Sequence, residues 1–272
     1  MKIHALSTGT VRIKTAMRYG RGPVRQVNTF LDREFTESLP IHVWVIEHPE
    51  GVIVVDTGEL ASAPALPFAR FEIAPEDEVG PQLRRLGMSP ADVRTIVLTH
   101  LHGDHMDGVS HFTGREILVN EGEYRFIRSL PGRINSAIGR QVWPAGFVPR
   151  TFAFRPEPLG PFSRSYPLTA AGDVLVVPTP GHTPEHSSVV VLHDGISYFL
   201  AGDTSYTQRQ LLDARVDGVS PNATQARRTM RTILHYAAEH PTVYLPSHDR
   251  ESAIRLATSS LLTVSEAASP LR

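Results

Sequence analysis

Thr95-Ile-Val-Leu-Thr-His-Leu-His-Gly-Asp-His-Met-Asp-Gly108 is the stretch that decides the fold. An apolar, β-branched run leads into it, and four metal-ligating side chains, His100, His102, Asp104 and His105, follow within six residues. In extended chain, residues two apart point to the same side, so His100 and His102 can grip one ion. Asp104 and His105, where the chain turns into a helix, can face another, and Gly103 and Gly108 leave room for the turn. One histidine at a strand end is ordinarily a chance polar residue. Four potential ligands so close together are not.

Three later segments repeat the pattern of a strand followed by a ligand. Val177-Pro-Thr-Pro-Gly-His-Thr-Pro-Glu-His186 presents His182 on a tight Pro/Gly turn, Tyr198-Phe-Leu-Ala-Gly-Asp-Thr-Ser-Tyr206 delivers Asp203, and Tyr244-Leu-Pro-Ser-His-Asp249 delivers His248. The chain has no cysteine, which excludes disulfides, thiolate nucleophiles and cysteine-held zinc or iron-sulfur groups. Any metal must be held by nitrogen and oxygen. Such a donor set suits zinc, with iron, manganese and cobalt as alternatives, because these sites discriminate weakly by affinity alone.

Short β-type runs at 41–46, 52–55, 95–99, 174–177, 188–192, 197–200 and 242–245 read as strands. Helical patterns lie between them at 79–86, 121–130, 207–214 and 224–239, so the expectation is an α/β layered protein with a single domain over 1–272. The Pro-dense stretches 61–75 and 143–167, with Phe68, Phe71, Trp143, Phe147, Phe152, Phe154 and Phe162, read as long surface loops. Their aromatic side chains fit plain packing and a substrate lid equally well. With 272 residues, 41% hydrophobic content and a formal charge of -1, the chain has enough apolar residues for a sizeable core and no basic field to attract nucleic acid. No segment reaches the roughly 18 apolar residues of a membrane span, and Met1 to Arg12 lacks a signal-peptide core, so a cytoplasmic location is expected.

In order, His-x-His-x-Asp-His, Gly-His, Gly-Asp and a final His resemble the ligand signature of the metallo-β-lactamase superfamily, and Val54-Val-Asp-Thr-Gly58 is similar to its early strand and turn. The resemblance runs from about residue 41 to 250. It implies an αββα sandwich with a dimetal site at one edge of the two sheets. It also implies that His100, His102 and His182 hold one ion, that Asp104, His105 and His248 hold the second, and that Asp203 bridges them. Asp56 is then either a residue that orients a ligand or an ordinary turn-forming Asp. Of the remaining histidines, His111 and His186 are the two that could support ligands.

Tyr206, three positions after Asp203, resembles the tyrosine that contacts the substrate carbonyl in the N-acyl homoserine lactonase branch, although a half-buried structural tyrosine is the plain alternative. The stretches 39–51 and 87–102 are similar to that branch as well. Many members carry a small residue and then Gly-Gly after the last histidine of the cluster, whereas this chain has Met106-Asp107-Gly108. The implied function is opening of the lactone ring of N-acyl homoserine lactones by hydroxide held between two divalent ions. Tyr206 would stabilise the oxyanion and Asp104 would shuttle the proton. A small-molecule lactone is the expected partner, with no nucleic acid or membrane, and a homodimer follows by analogy. Alternatives on the same site are a glyoxalase-II-like thioesterase or a phosphodiesterase. A non-catalytic metal-binding protein is the remaining class.

Overall fold

The computed structural model describes residues 1–22, 24–139 and 147–264. In chain order the elements are β1 (Lys2–Ile13), α1 (Thr15–Tyr19), α2 (Arg25–Leu31), β2 (Leu39–Glu47), β3 (Val52–Val55), β4 (Ala69–Glu72), α3 (Val79–Arg85) and β5 (Val93–Val97). Then follow α4 (Gly103–Met106), β6 (Glu116–Asn120), α5 (Glu121–Arg128), α6 (Leu130–Ile138), β7 (Arg150–Phe152), β8 (Tyr166–Pro167) and β9 (Val174–Pro178). The chain continues through β10 (Ser187–His193), β11 (Ile196–Gly202), α7 (Gln208–Leu212), α8 (Ala223–Glu239), β12 (Thr242–Pro246) and α9 (Ser252–Thr258). Two compact units result. The first comprises Met1–Ile13 with Thr36–Ala153, the second Lys14–Phe35 with the chain from Phe154 onward.

The first unit holds a seven-stranded mixed sheet in the order β4-β1-β2-β3-β5-β6-β7. β1, β2 and β3 pair antiparallel, while β3, β5, β6 and β7 run parallel. Val43, Val45, Val54 and Ile96 from this sheet pack with Leu83 of α3 and Ile127 of α5 in one apolar cluster. The parallel strands β3 and β5 are nearly continuous β-branched runs, as strands buried on both faces must be. Their carboxyl ends carry the chain straight into Asp56 and into the histidine cluster.

The second unit holds a five-stranded sheet in the order β12-β11-β10-β9-β8, with β11 and β12 parallel and the other pairs antiparallel. Asp194 and Gly195, both at positive φ, make the two-residue hairpin that fixes the register of β10 on β11. Helix α8 starts at Asn222, whose side chain accepts the Gln225 N–H, and buries Ala226, Met230, Ile233 and Leu234, the spacing of one helical face. Tyr236 of the same helix joins Phe162, Phe199 and Tyr244 in an aromatic centre, with Phe199 lying 6.2 Å from Tyr236 and 5.9 Å from Tyr244.

Each expected strand and helix is present with small shifts at its ends. The strand expected at 95–99 ends at Val97 because the Thr99 N–H and hydroxyl bond to the Asp56 carboxylate instead of a neighbouring strand. The helix expected through residue 130 stops at Arg128 because the Ser129 side chain caps α6. The two proline-dense stretches need correction, since 61–75 contains β4, paired to β1, and 143–167 contains β7 and β8. These are short strands at sheet edges, where proline is tolerated and the two-residue period is too brief to read. Phe152 and Phe162 are buried and Phe147 packs on the first unit's core, so these three serve packing; residues 143–146, with Trp143, lie outside the described residues.

Between β1 and β2 the chain makes an excursion, Lys14–Phe35, that belongs to the second unit. Asp32 ties it together by accepting the Thr15 hydroxyl and the Ala16 N–H, both at 2.6 Å. Partial burial opposes ionisation of Asp32, but these bonds and backbone N–H groups outweigh it and lower its pKa to about 2. The stabilisation is therefore fully present above the ordinary aspartate pKa and is lost as pH falls through about 2. Asp32→Ala removes a cap from α1 and is expected to lower stability by about 1 kcal/mol at neutral pH. Urea denaturation should show the gap between variant and parent narrowing below about pH 4, the usual carboxylate range.

Candidate metal centre

In the first unit the cluster stands just beyond β5. His100 and His105 are fully buried, and the His100 Nε2 lies 3.0 Å from the His102 Nδ1. The His100 Nδ1 meets the Thr99 hydroxyl at 3.1 Å, which leaves its Nε2 facing His102. His105 sits on α4 with its ring 4.1 Å from that of His100. Imidazoles crowded in this way suit cation binding, since a neutral ring offers one lone pair as well as one N–H.

Asp56, at the end of β3, holds this arrangement in place. Its carboxylate accepts the Thr99 N–H at 2.8 Å, the Thr99 hydroxyl at 2.9 Å and the His105 Nδ1 at 2.8 Å. Of the two readings open for Asp56, ligand orientation is therefore the one its contacts support, and it adopts a left-handed φ of 62° to do so. The backbone adds a second tether, because the His105 carbonyl accepts the Thr57 N–H at 2.7 Å and the Thr57 hydroxyl at 3.1 Å. Gly108 makes that approach feasible: a β-carbon there would lie 2.1 Å from the Thr57 carbonyl oxygen.

Two acidic groups beside Asp104 were not singled out from sequence. Glu59 is 3% exposed, and burial, then the charges of Asp107 and Asp104, push its carboxyl far up; burial also raises Asp107. A β-carbon on Gly103 would meet both side chains at 3.2 Å, so the two carboxyls come close to this turn. Asp107 stands where many relatives of the resembled family have glycine, and that departure was the available signal.

In the second unit His182, Asp203, Tyr206 and His248 come together, all buried. The Nε2 atoms of His182 and His248 lie 3.5 and 3.3 Å from the Asp203 Oδ2. The Asp203 N–H donates to the His186 Nε2 at 3.1 Å, and the His186 Nδ1 meets the Thr179 hydroxyl, so His186 supports the bend that presents Asp203. His111 instead bonds Glu78 at 2.7 Å. The Tyr206 ring lies 6.1 Å from the His182 ring and 5.5 Å from the His248 ring. Asp249 accepts the Gln208 N–H and pairs with the buried Arg255 at 2.7 Å, which links the Tyr206 loop to the His248 loop. Asp217, also missed from sequence, accepts from the His182 Nδ1 at 2.9 Å.

Two mixed sheets with flanking helices and an all-nitrogen-and-oxygen donor set at strand ends define a metal-binding protein. Residues 37–248 match the metallo-β-lactamase superfamily, and the chain belongs to that superfamily, sharing its αββα fold. It is similar to the N-acyl homoserine lactonase AttM of Rhizobium radiobacter, at 24% identity over 93% of this chain and 94% of the relative. It is also similar to the N-acyl homoserine lactonase AiiA of Bacillus thuringiensis subsp. kurstaki, at 30% identity over 69% and 72%. Among solved structures it resembles an N-acyl homoserine lactone hydrolase with N-hexanoyl-L-homoserine bound at its catalytic metal centre, with a TM-score of 0.73, 21% identity and 96% of each chain covered. The protein is accordingly a metal-binding hydrolase of this superfamily.

Asp56→Ala is expected to weaken metal retention roughly 10- to 100-fold, because His105 loses the acceptor that fixes its ring. Zinc content after dialysis against a graded chelator measures this; unchanged retention would mean that packing alone orients His105.

Proposed function

We propose that the protein hydrolyses the lactone ring of N-acyl homoserine lactones. His100, His102 and His182 are assigned to one divalent ion, Asp104, His105 and His248 to a second, and Asp203 to both, with the two units working as one catalytic domain. The ligand chemistry supports this, since imidazoles and carboxylates, with the Nδ1 atoms of His105 and His182 each facing a carboxylate, suit zinc or a similar borderline cation. Such ions supply Lewis acidity and bring the pKa of a bound water from 15.7 to about 7.

Tyr206 carries the choice of substrate. It is buried in the second unit beside two proposed ligands, and proteins similar to this chain are named lactonases. Its hydroxyl would donate to the carbonyl oxygen as that oxygen gains charge. Asp104 would take the proton released by the attacking water and pass it to the ring oxygen as the ester C–O bond breaks. One water is consumed, and the products are a carboxylic acid and an alcohol on the same opened chain. Zinc as the metal, a cytoplasmic location and a homodimer belong to this reading.

Tyr206→Phe is expected to reduce kcat about 10²-fold with metal content unchanged, the usual cost of one lost oxyanion donor. An unaltered rate would remove Tyr206 from the mechanism. A panel of N-acyl homoserine lactones run beside a thioester and a phosphodiester, with metal analysed on the same sample, tests the class. Turnover confined to lactones is the expected result, with affinity rising by up to about 0.8 kcal/mol per buried methylene of the acyl tail. Faster thioester or phosphodiester turnover would assign the site to another hydrolase, and full metal with no turnover would assign it to a binding protein.

A further inference from the structure

We infer that Asp217 is a positioning residue which sets the tautomer of His182, and that the Lys14–Phe35 excursion holds Asp217 in place to do so. The inference rests on the proposed role of His182 as a metal ligand and goes beyond it, because neither Asp217 nor the excursion belongs to the ligand signature. Asp217 is 4% exposed, and its two carboxylate oxygens have different tasks. Oδ1 accepts the Val219 N–H at 2.9 Å and the Ser220 N–H at 2.6 Å, while Oδ2 faces the His182 Nδ1 at 2.9 Å. With Oδ1 already accepting two backbone N–H groups, Oδ2 is placed to accept from an Nδ1–H of His182, and the lone pair that can bind a cation is then on Nε2. That Nε2 is the atom directed toward Asp203, 3.5 Å from its Oδ2.

The segment bearing Asp217 gains its shape from the excursion. The Gly218 N–H donates to the Met17 carbonyl at 2.7 Å, and the Gln26 side chain donates to the Val219 carbonyl at 3.3 Å. On either side, Gln210 donates to the Arg18 carbonyl at 2.7 Å, and Gly20 packs so closely that a β-carbon would lie 2.3 Å from the Val216 carbonyl oxygen. Gly218 has the same constraint: its β-carbon would lie 2.4 Å from the Ala16 carbonyl oxygen and 2.7 Å from the Thr29 hydroxyl. Backbone cannot yield here as a flexible side chain would. A side chain at 218 must therefore displace backbone, either that of the excursion or that which carries Asp217.

Asparagine and alanine at position 217 separate tautomer control from simple packing. If the amide introduced by Asp217→Asn keeps its oxygen on the Val219 and Ser220 N–H groups, its NH2 faces His182 and favours the Nε2–H tautomer, which cannot ligate. Alanine leaves either tautomer accessible. The experiment is chelator competition on zinc-loaded parent, Asp217→Asn, Asp217→Ala and Gly218→Ala proteins, with thermal unfolding of each. The parent is expected to hold two zinc equivalents. Asp217→Asn should weaken one of them about 10- to 100-fold and more than Asp217→Ala does, with Gly218→Ala affected in the same direction. A purely structural role gives the opposite order, with the near-isosteric asparagine milder than alanine, and would overturn the inference. So would two ions of unchanged affinity in Asp217→Asn. A parent that binds no zinc would instead sink the dimetal reading. Should the 217 variants not fold, long-range 1H–15N NMR of the metal-free parent decides: the His182 signal, assigned by its loss in His182→Gln, must report Nδ1–H, and Nε2–H refutes the proposal.

Discussion

A histidine can bind a cation only through a ring nitrogen that carries no proton, and the protein must decide which nitrogen that is. In this protein two buried carboxyl groups are placed to make that decision. Asp56 faces the His105 Nδ1 and Asp217 faces the His182 Nδ1, at 2.8 and 2.9 Å, in different units and on unrelated loops. Each carboxylate is in turn fixed by N–H groups of its own unit, Asp56 by Thr99 and Asp217 by Val219 and Ser220. Burying an unpaired carboxylate would cost several kcal/mol, so the loops must close around it before the imidazole can be aimed. The geometry of the proposed ligands thus depends on backbone that is itself tied to these carboxyl groups.

This dependence explains where the chain accepts strain and crowding. Asp56 adopts a positive φ, uncommon for a side chain larger than glycine, at the point where it reaches both Thr99 and His105. Gly108 and Gly218 admit carbonyl groups to within a distance that any β-carbon would block. These positions cost conformational freedom or tolerance to substitution, and the sheets offset that cost by holding the strand ends rigidly. β3 and β5 pair in parallel and are buried, so Asp56 and the cluster start from neighbouring, well-fixed strand ends.

How much of this the sequence discloses follows from the range of each interaction. The proposed ligand residues stood out because their chemistry is concentrated in short runs at strand ends, and the regular elements that carry them have strong apolar periods. β1 was missed because its twelve residues carry polar side chains on positions that are only half buried, and β4, β7 and β8 because they are two to four residues long. Asp217 lies 35 residues from His182 in a stretch with no distinctive neighbours, and nothing local marks it out. The excursion was equally silent, since Asp32, Gly20 and Gly218 acquire their meaning only from partners brought close by folding. Glu59 and Asp107 occupy a middle position: both adjoin readable motifs, but folding is what brings them together beside Gly103.

The same logic extends to Tyr206, the residue on which the proposed choice of substrate turns. Its loop is fastened on both sides, for the Thr204 hydroxyl donates to the Ala201 carbonyl at 2.8 Å and Ser205 pairs with the Tyr244 hydroxyl at 2.9 Å. Immediately after it, the Gln208 N–H is held by Asp249, which Arg255 anchors from α9. A tyrosine recruited merely to fill the core would need none of this, because the ring alone supplies the apolar contact. Fixing the backbone before and after the ring restricts where the hydroxyl can stand, and an oxyanion donor is effective only when its position is set before charge develops. The side chain that would discriminate among esters is therefore built with the same rigidity as the ligands, in the same unit as His182, Asp203 and His248.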